Sequence, residues 1–240
     1  EGRLYFKSIS ANDAYKQAKQ KRIFSALLNE GDHILDYYDP GDGLYLARGH
    51  LAPKGDLLYT DWQEASYMYS NVVPQWQRIN NGNWKTVEEG VRSAARKRGV
   101  TLLVYTGTLG VFKVSQPPCI LFIMESFVEL QVNNREVFLV EDKIPVPEYL
   151  WKLVVDTKTG ENIVFVTLNN PFIRYATRSH DLCDDVCDVT KWSRVLKTRA
   201  NTRKGYTICC RPADLRTRVP WLPKVESSQD LLIYSSPAIL

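Results

Sequence analysis

The residues best suited to catalysis lie in two short stretches of the chain. In the first, Arg48 stands two positions before His50, and in the second Asn80 is followed by Glu88 and Arg92. Together they supply an imidazole base, a neutral oxygen ligand, a carboxylate and two guanidiniums. Hydrolysis of a phosphodiester requires a deprotonated water, neutralised phosphate charge and a stabilised leaving oxygen. These residue types therefore predict metal-assisted cleavage of a phosphodiester.

Local structure indicates how these groups would share a site. On an extended strand Arg48 and His50 point to the same face, and a histidine is partly neutral near pH 7, so it can accept a proton. On a helix Glu88 and Arg92 lie on one side. Taken alone, that pair is typical of a surface ion pair, and Asn80 of a helix cap. The Asn80 carboxamide oxygen can also bind a hard cation such as Mg²⁺, which keeps several of its waters.

Hydrophobic periodicity predicts one α+β domain over residues 1–240, with a sheet at its core. Residues 84–99 predict a helix with Gly99 just beyond its end, and residues 100–107 a strand buried on both faces. Residues 60–69 fit a helix or a helix followed by a strand. Further helices are expected over 11–28, capped by Asn12 or Asp13, and near 186–196. Further strands are expected over 44–48, 70–75 (ended by a proline), 109–114, 119–132 and 137–139, and in a hairpin of 150–156 and 162–168.

Composition indicates a soluble globular protein of 240 residues with 44% hydrophobic and 24% charged residues. The longest apolar run, residues 119–124, is far shorter than the roughly 18 residues of a membrane span. We therefore expect no membrane association. The chain begins with Glu1 and lacks an apolar leader, which favours a processed or trimmed form.

Positive charge is concentrated near the C-terminus. Residues 191–218 contain nine Lys or Arg and a single acid, Asp214, in a chain whose net charge is only +4. A local basic block on a nearly balanced protein favours a polyanionic partner over a merely solvated face.

The cysteines indicate disulfides rather than a metal site. They are Cys119, Cys183, Cys187, Cys209 and Cys210. Adjacent cysteines rarely both reach one zinc ion, so we expect two disulfides between the 183/187 and 209/210 positions, in either of two pairings. A third arrangement pairs Cys119 with one of the four, but its apolar surroundings favour a buried thiol. Disulfides would make the protein secreted.

Four motifs, in order and spacing, resemble the DNA/RNA non-specific endonucleases, the sugar-nonspecific ββα-metal family. The resemblance covers residues 44–170, and residues 182–187 resemble secreted arthropod members of salivary or gut origin. It implies a mainly antiparallel central sheet flanked by helices, with a ββα-metal motif. The motifs are Arg48-Gly49-His50-x-Ala52-Pro53, Ser70-Asn71-Val72-x-Pro74-Gln75, Asn80-x-x-x-Trp84-x-x-x-Glu88-x-x-x-Arg92 and Tyr149-x-Trp151-Lys152.

The resemblance implies a role for each site residue. His50 would be the general base that activates water, and Asn80 the single protein ligand of one Mg²⁺ or Mn²⁺. Glu88 would hold a water of the metal's shell. Arg48 and Arg92 would stabilise the phosphate and its leaving oxygen. Products would carry a 5′-phosphate.

Substrate recognition through phosphates would explain cleavage of both DNA and RNA. Arg22 is a candidate for an arginine that typical members carry upstream of the first motif. The full set of residues predicted to bind substrate is Arg22, Trp84, Lys152, Arg199, Arg203 and Lys204.

One position departs from the family pattern. The motif usually begins with aspartate, and here Ala47 stands in its place. Because that aspartate supports the metal's water shell, its loss predicts weaker metal binding or a changed metal preference. The alternative function is therefore a secreted nucleic-acid-binding protein with the same fold and little turnover.

Overall fold

A computed structural model describes residues 5–6, 9–28, 37–115, 134–140, 143–225 and 231–234. Cys119 and the strand predicted over 119–132 lie outside these ranges. The strands are β1 (Tyr5–Phe6), β2 (Ile9–Ser10), β3 (Leu46–His50), β4 (Val72–Trp76), β5 (Leu102–Leu109), β6 (Lys113–Ser115), β7 (Asn134–Glu136), β8 (Tyr149–Asp156), β9 (Asn162–Leu168) and β10 (Thr207–Cys210). The helices are α1 (Ala11–Ala14), α2 (Gln17–Leu27), α3 (Thr60–Ala65), α4 (Gln77–Ile79), α5 (Lys85–Arg98) and α6 (Pro212–Arg216).

The central sheet is antiparallel and has the order β10-β9-β8-β5. Every residue of β8 and β9 is buried, because these two strands have neighbours on both sides and are covered on both faces. They form the predicted hairpin, in register from Tyr149 opposite Leu168. The mixed architecture and the antiparallel pairing confirm the predicted α+β class.

The strand β5 corrects one expectation. Among the strands that the structure describes it lies at the edge of the sheet, and it is not buried on both faces: Leu103 is 45% exposed and Tyr105 37%. The alternate residues Leu102 and Val104 pack against the core, as does Leu109 at the end of the strand. A continuous run of apolar residues can thus form a strand that is covered on only one face.

A second antiparallel ribbon joins β3 to β4 and leads into α5, which gives a ββα unit. Arg48 lies opposite Pro74 and His50 opposite Val72. Pro74 therefore lies within β4 and does not end it as predicted. A proline, which has no N–H, is tolerated here because β4 pairs on one side only.

The helices differ in how well they match the predictions. The predicted 84–99 helix is confirmed as α5, which ends at Gly99 with a positive φ of 62°. The helix predicted over 60–69 is only α3. The one predicted over 11–28 is divided into α1 and α2, and Ser10 caps α1 in place of Asn12 or Asp13. None of the helices in the described ranges is long and apolar enough to cross a bilayer.

The C-terminal basic region is held by two disulfides, Cys183–Cys210 and Cys187–Cys209. This confirms bonding between the two cysteine segments and selects one of the two pairings left open. The helix predicted near 186–196 is wrong, since only a 3₁₀ turn, Trp192–Arg194, forms there. Lys191 adopts a left-handed backbone conformation with φ 62°, which interrupts an α-helix.

Candidate active site

His50 lies at the end of β3 and is partly buried. Its Nε2 is buried and has no hydrogen-bond partner among the described residues. The ring packs edge-on against Tyr67, with centroids 4.9 Å apart. Burial lowers the pKa of His50 below 6.5, and the positive charge of Lys54 lowers it further. The imidazole is therefore neutral near pH 7 and able to accept a proton.

Arg48, on the same strand, is held by the N-terminal region. Its guanidinium carbon lies 5.6 Å from the ring centroid of Tyr15 and 5.4 Å from that of Tyr69. Its Nη2 donates a hydrogen bond to Oδ1 of Asn12. These two rings stack on each other with centroids 6.2 Å apart, so the guanidinium contacts both members of one aromatic pair. The cation–π contacts orient it and leave other N–H donors for a ligand. No local sequence pattern links Asn12 or Tyr15 to Arg48, because they lie more than thirty residues away.

Asn80 begins the wide turn Asn80–Trp84 between α4 and α5, and its side-chain Nδ2 donates to Gln77 Oε1 at 3.3 Å. The turn depends on Gly82, where an added Cβ would lie 2.6 Å from the carbonyl oxygen of Lys204. Asn83 secures the same contact by donating to the carbonyl oxygen of Gly205 at 2.6 Å. The backbone of the basic region therefore positions the turn that carries the predicted metal ligand.

Glu88 lies on α5 and is largely removed from water. Burial raises its pKa to about 7, opposed mainly by the positive charge of Lys152 and reinforced by the negative charge of Asp56. On the same helix, Arg92 Nη1 binds Asp56 Oδ1 at 2.8 Å. This contact attaches the loop after His50 to the helix.

Lys152 projects from β8 beneath the site and is only 1% exposed. Its Nζ donates to Thr106 Oγ1 at 2.7 Å and to the carbonyl oxygen of Leu51 at 3.3 Å. It also lies 5.1 Å from the ring centroid of Trp84. Burial lowers the pKa of Lys152 to about 8, although the nearby Glu88 favours its charged form. Lys152 thus connects the central sheet, the residue after His50 and the acidic side of the helix.

The other residues predicted to bind substrate have varied surroundings. Trp84 is 1% exposed. Like Lys152, it therefore influences the site through the groups that it packs against. Arg199 pairs with Asp185 and Asp188. Arg203 pairs with Asp42 at 3.3 Å. Both Arg22 and Lys204 are exposed.

Comparison with known proteins identifies the family. The model of the DNA/RNA non-specific endonucleases matches residues 4–215. The chain belongs to this family. The resemblance predicted from the four motifs is thereby confirmed.

Several family members are similar in sequence. A salivary endonuclease of Lutzomyia longipalpis is 35% identical over 168 residues, which cover 70% of this chain and 37% of the relative. Salivary protein Tsal2A of Glossina morsitans morsitans is 31% identical over 220 residues, 92% of this chain and 50% of the relative. A nuclease of Serratia marcescens is 33% identical over 84 residues, 34% of this chain and 31% of the relative. The chain spans at most half the length of these relatives.

The residues present fit the divalent cation on which the family depends. Asn80 and Glu88 offer uncharged and carboxylate oxygens, which hard cations prefer. Glu88 forms no ion pair with a described basic residue at contact distance, and burial raises its pKa, so the positive charges of Lys152 and Arg92 compensate its ionised form only in part. A bound cation would supply that compensation.

The family motif is incomplete at Ala47, and a buried amide without a described partner lies opposite this position. Ala47 lies directly opposite Gln75 in the β3–β4 ribbon, so the two side chains share a face. Gln75 is completely buried, and neither its Nε2 nor its Oε1 has a partner among the described residues. The Gln75 amide also extends over Gly49, where a Cβ would lie 2.3 Å from Oε1. An aspartate at position 47 would stand where the amide lacks an acceptor.

Proposed function

We propose that this protein is an endonuclease that hydrolyses phosphodiester bonds of DNA and RNA, with one divalent cation and His50 as general base. The observation that supports this best is the buried Nε2 of His50, which has no partner among the described residues. It belongs to a ββα unit whose helix carries oxygen donors. Membership of the endonuclease family supports the same reaction class.

His50 would take a proton from the attacking water. Its environment suits this role, because burial and Lys54 both keep the imidazole neutral. Arg48, oriented by the stacked pair Tyr15 and Tyr69, would bind a phosphate oxygen. Arg92, held by Asp56, would stabilise negative charge on the opposite side of the phosphate.

Asn80 would be the single protein ligand of the cation, and Glu88 would hold one of the cation's waters. We take the cation to be Mg²⁺, with Mn²⁺ as a substitute. When bound, it would neutralise phosphate charge and stabilise the leaving oxygen. Lys152 would keep Glu88 ionised while holding the backbone at Leu51, next to the general base. Products would then carry 5′-phosphate ends.

Binding would rest mainly on phosphates, so both DNA and RNA would serve as substrates. Exposed cations such as Arg22 and Lys204 would add to the attraction. We assign residues 1–240 to a single endonuclease domain, with the disulfide-linked basic region of about 180–220 as part of it. The two disulfides and the salivary relatives favour secretion.

The decisive experiment compares plasmid degradation with Mg²⁺ and with EDTA, in the wild type and in His50→Ala. We expect cleavage only with the metal, and a loss of at least about 100-fold in the variant. His180→Ala is the matched control, since His180 lies in a remote turn bonded to Thr177. Wild-type cleavage in EDTA, or full activity of His50→Ala, would contradict the proposal.

Ala47 and the unpartnered Gln75 favour a second candidate, a secreted nucleic-acid-binding protein with little turnover. It predicts tight, salt-sensitive binding of DNA and RNA without metal-dependent cutting. The plasmid assay, run beside a binding titration in EDTA, separates the two candidates.

A further inference from the structure

The connection between β3 and β4 exposes an unusual amount of apolar surface. In the described ranges eleven large hydrophobic side chains are exposed, and five of them fall within residues 57–68, which we call the aromatic segment. Clustered apolar surface of this kind marks an interaction site more often than chance exposure. The five are Leu58 at 86%, Tyr59 at 62%, Trp62 at 56%, Tyr67 at 47% and Met68 at 61%.

Hydrogen bonds hold the backbone of the aromatic segment in place. Asn71 closes its base by donating to the carbonyl oxygens of Ala52 at 2.9 Å and Ser66 at 2.8 Å. Within the segment, Gln63 donates to the carbonyl oxygen of Leu57 at 2.8 Å. The exposed rings therefore stand on a preorganised support, so a ligand that covers them need not order the backbone.

The aromatic segment is continuous with the candidate active site. The ring of Tyr67 contacts His50, and Lys54 Nζ lies 5.5 Å from the centroid of the same ring. Farther along, Tyr59 and Trp62 meet edge to face at 4.8 Å. A strand whose phosphate lies at His50 would have its neighbouring nucleotides beside these rings.

The charges of the segment indicate which part of a nucleotide it would meet. Residues 57–68 contain no Lys or Arg, and their two acids are Asp61 and Glu64. On α3 these acids are three positions apart and lie on one side of the helix. Trp62 lies on a different side. Such a surface disfavours phosphates but suits flat, apolar groups. Nucleobases are such groups, and their faces are free in single strands and hidden in a duplex.

We propose that the aromatic segment is a stacking platform for unpaired bases next to the cleaved phosphate, and that it gives the enzyme a preference for single-stranded nucleic acid. This inference rests on the proposed function for the position of the phosphate. Tyr59 and Trp62 carry the stacking, and Tyr67 links the platform to His50.

The test is a binding titration of the full chain in EDTA. Its probes are a short fluorescent single-stranded oligonucleotide and the duplex of the same sequence. Each ring that stacks on a base contributes enough that Tyr59→Ala or Trp62→Ala should weaken single-strand binding about 5- to 30-fold. Duplex binding should change less than about 2-fold.

The chain provides a matched control in Trp221, which is 61% exposed and lies outside the segment. Trp221→Ala should leave binding of both probes unchanged. Unchanged single-strand binding in Trp62→Ala, equal losses on both probes, or an equal loss in Trp221→Ala would each overturn the platform. A dimer that Trp62→Ala converts to a monomer in sedimentation, with single-strand binding unchanged, would instead assign the segment to contact with a second copy.

Failure of the platform is distinguishable from failure of the proposed function. Selective loss of single-strand binding, together with absent metal-dependent cleavage, would support the platform and contradict the nuclease. Metal-dependent cleavage that requires His50, together with unchanged single-strand binding in Trp62→Ala, would support the nuclease and contradict the platform.

Discussion

The ββα unit and the disulfide-linked basic region both carry positive charge, but they hold it in different ways. Next to the ββα unit Lys152 is buried against Thr106 and Trp84, and within the unit Arg48 is held against a stacked pair of aromatic rings. In the basic region Lys197 is exposed, and Arg199 is neutralised by acids. Buried charges are the ones whose pKa values shift and whose positions are defined, so burial marks candidate chemistry better than charge density does.

The two regions nevertheless depend on each other. The backbone of Lys204 packs against Gly82, and Gly205 accepts a hydrogen bond from Asn83. The disulfide-linked region thus supports the turn that begins at Asn80. The disulfide-linked region therefore contributes mainly by holding this turn in place, and less by its positive charge.

Removing the Cys187–Cys209 disulfide should have the largest effect on stability. The double variant Cys187→Ser/Cys209→Ser should lose about 3 kcal/mol of unfolding free energy, because the bond closes a loop of 22 residues. Chemical denaturation measures this. Activity of the folded variant at low temperature should stay within about 2-fold of wild type. A large loss of activity without a loss of stability would show that the region acts directly in catalysis.

Lys152→Met should separate function from stability. Removing the ammonium frees the backbone at Leu51 and withdraws the main positive charge near Glu88, so cleavage should fall roughly 100-fold. The unfolding free energy should change by less than about 1 kcal/mol, because burying the charge is itself costly. Plasmid cleavage and denaturant titration measure both quantities. Lys197→Met, at an exposed lysine, is the matched control. An equal loss of activity there would show that the buried lysine is no more important for cleavage than an exposed one.

Metal-free stability should decline with pH because of Glu88. Its pKa is raised in the folded state from the usual 4.5 to about 7. The folded protein therefore binds this proton more tightly than the unfolded chain. The stability is fully present below pH 4.5 and is lost as the pH rises through 7, by about 2.5 kcal/mol between pH 5 and pH 8.

Thermal unfolding in EDTA between pH 5 and pH 8 tests this decline, because this range covers most of it. Glu88→Gln should abolish the decline, and Mg²⁺ should reverse it in the wild type. Glu89→Gln, on an exposed neighbour in the same helix, should retain it. A decline that persists in Glu88→Gln would locate the responsible group elsewhere.

Placing an aspartate at position 47 should have the smallest effect on activity. It tests whether the ββα unit lacks a group that supports the cation. In Ala47→Asp the new carboxylate would accept a hydrogen bond from the buried Gln75 amide. We expect the Mg²⁺ concentration for half-maximal cleavage to fall about 10-fold. Ala47→Asn, equal in size but uncharged, should give little of this gain. No change in the metal requirement of Ala47→Asp would show that position 47 does not act on the cation.

Much of the site was predictable because its parts are local patterns. The period of residues 84–99 predicts α5, and alternating residues around His50 predict β3. Their order along the chain also identified the family, because a motif is a property of spacing. The cysteine spacing likewise predicted bonding between two segments.

Other features depended on contacts between residues far apart in sequence. Periodicity could not show that β5 lies at an edge, which depends on the absence of a further neighbour in the described sheet. The disulfide pairing, the contact of Arg48 with Tyr15 and Tyr69, and the burial of Lys152 arise only when separate segments pack together.

By itself, the sequence determined the residue types of the site, their order and the family, because each is written in local spacing. Only the tertiary structure decided how each group is tuned. The lowered pKa of His50, the raised pKa of Glu88 and the unpartnered Gln75 all follow from burial. Burial is set by the whole fold, since removing a group from water requires neighbours that no single stretch of the chain supplies.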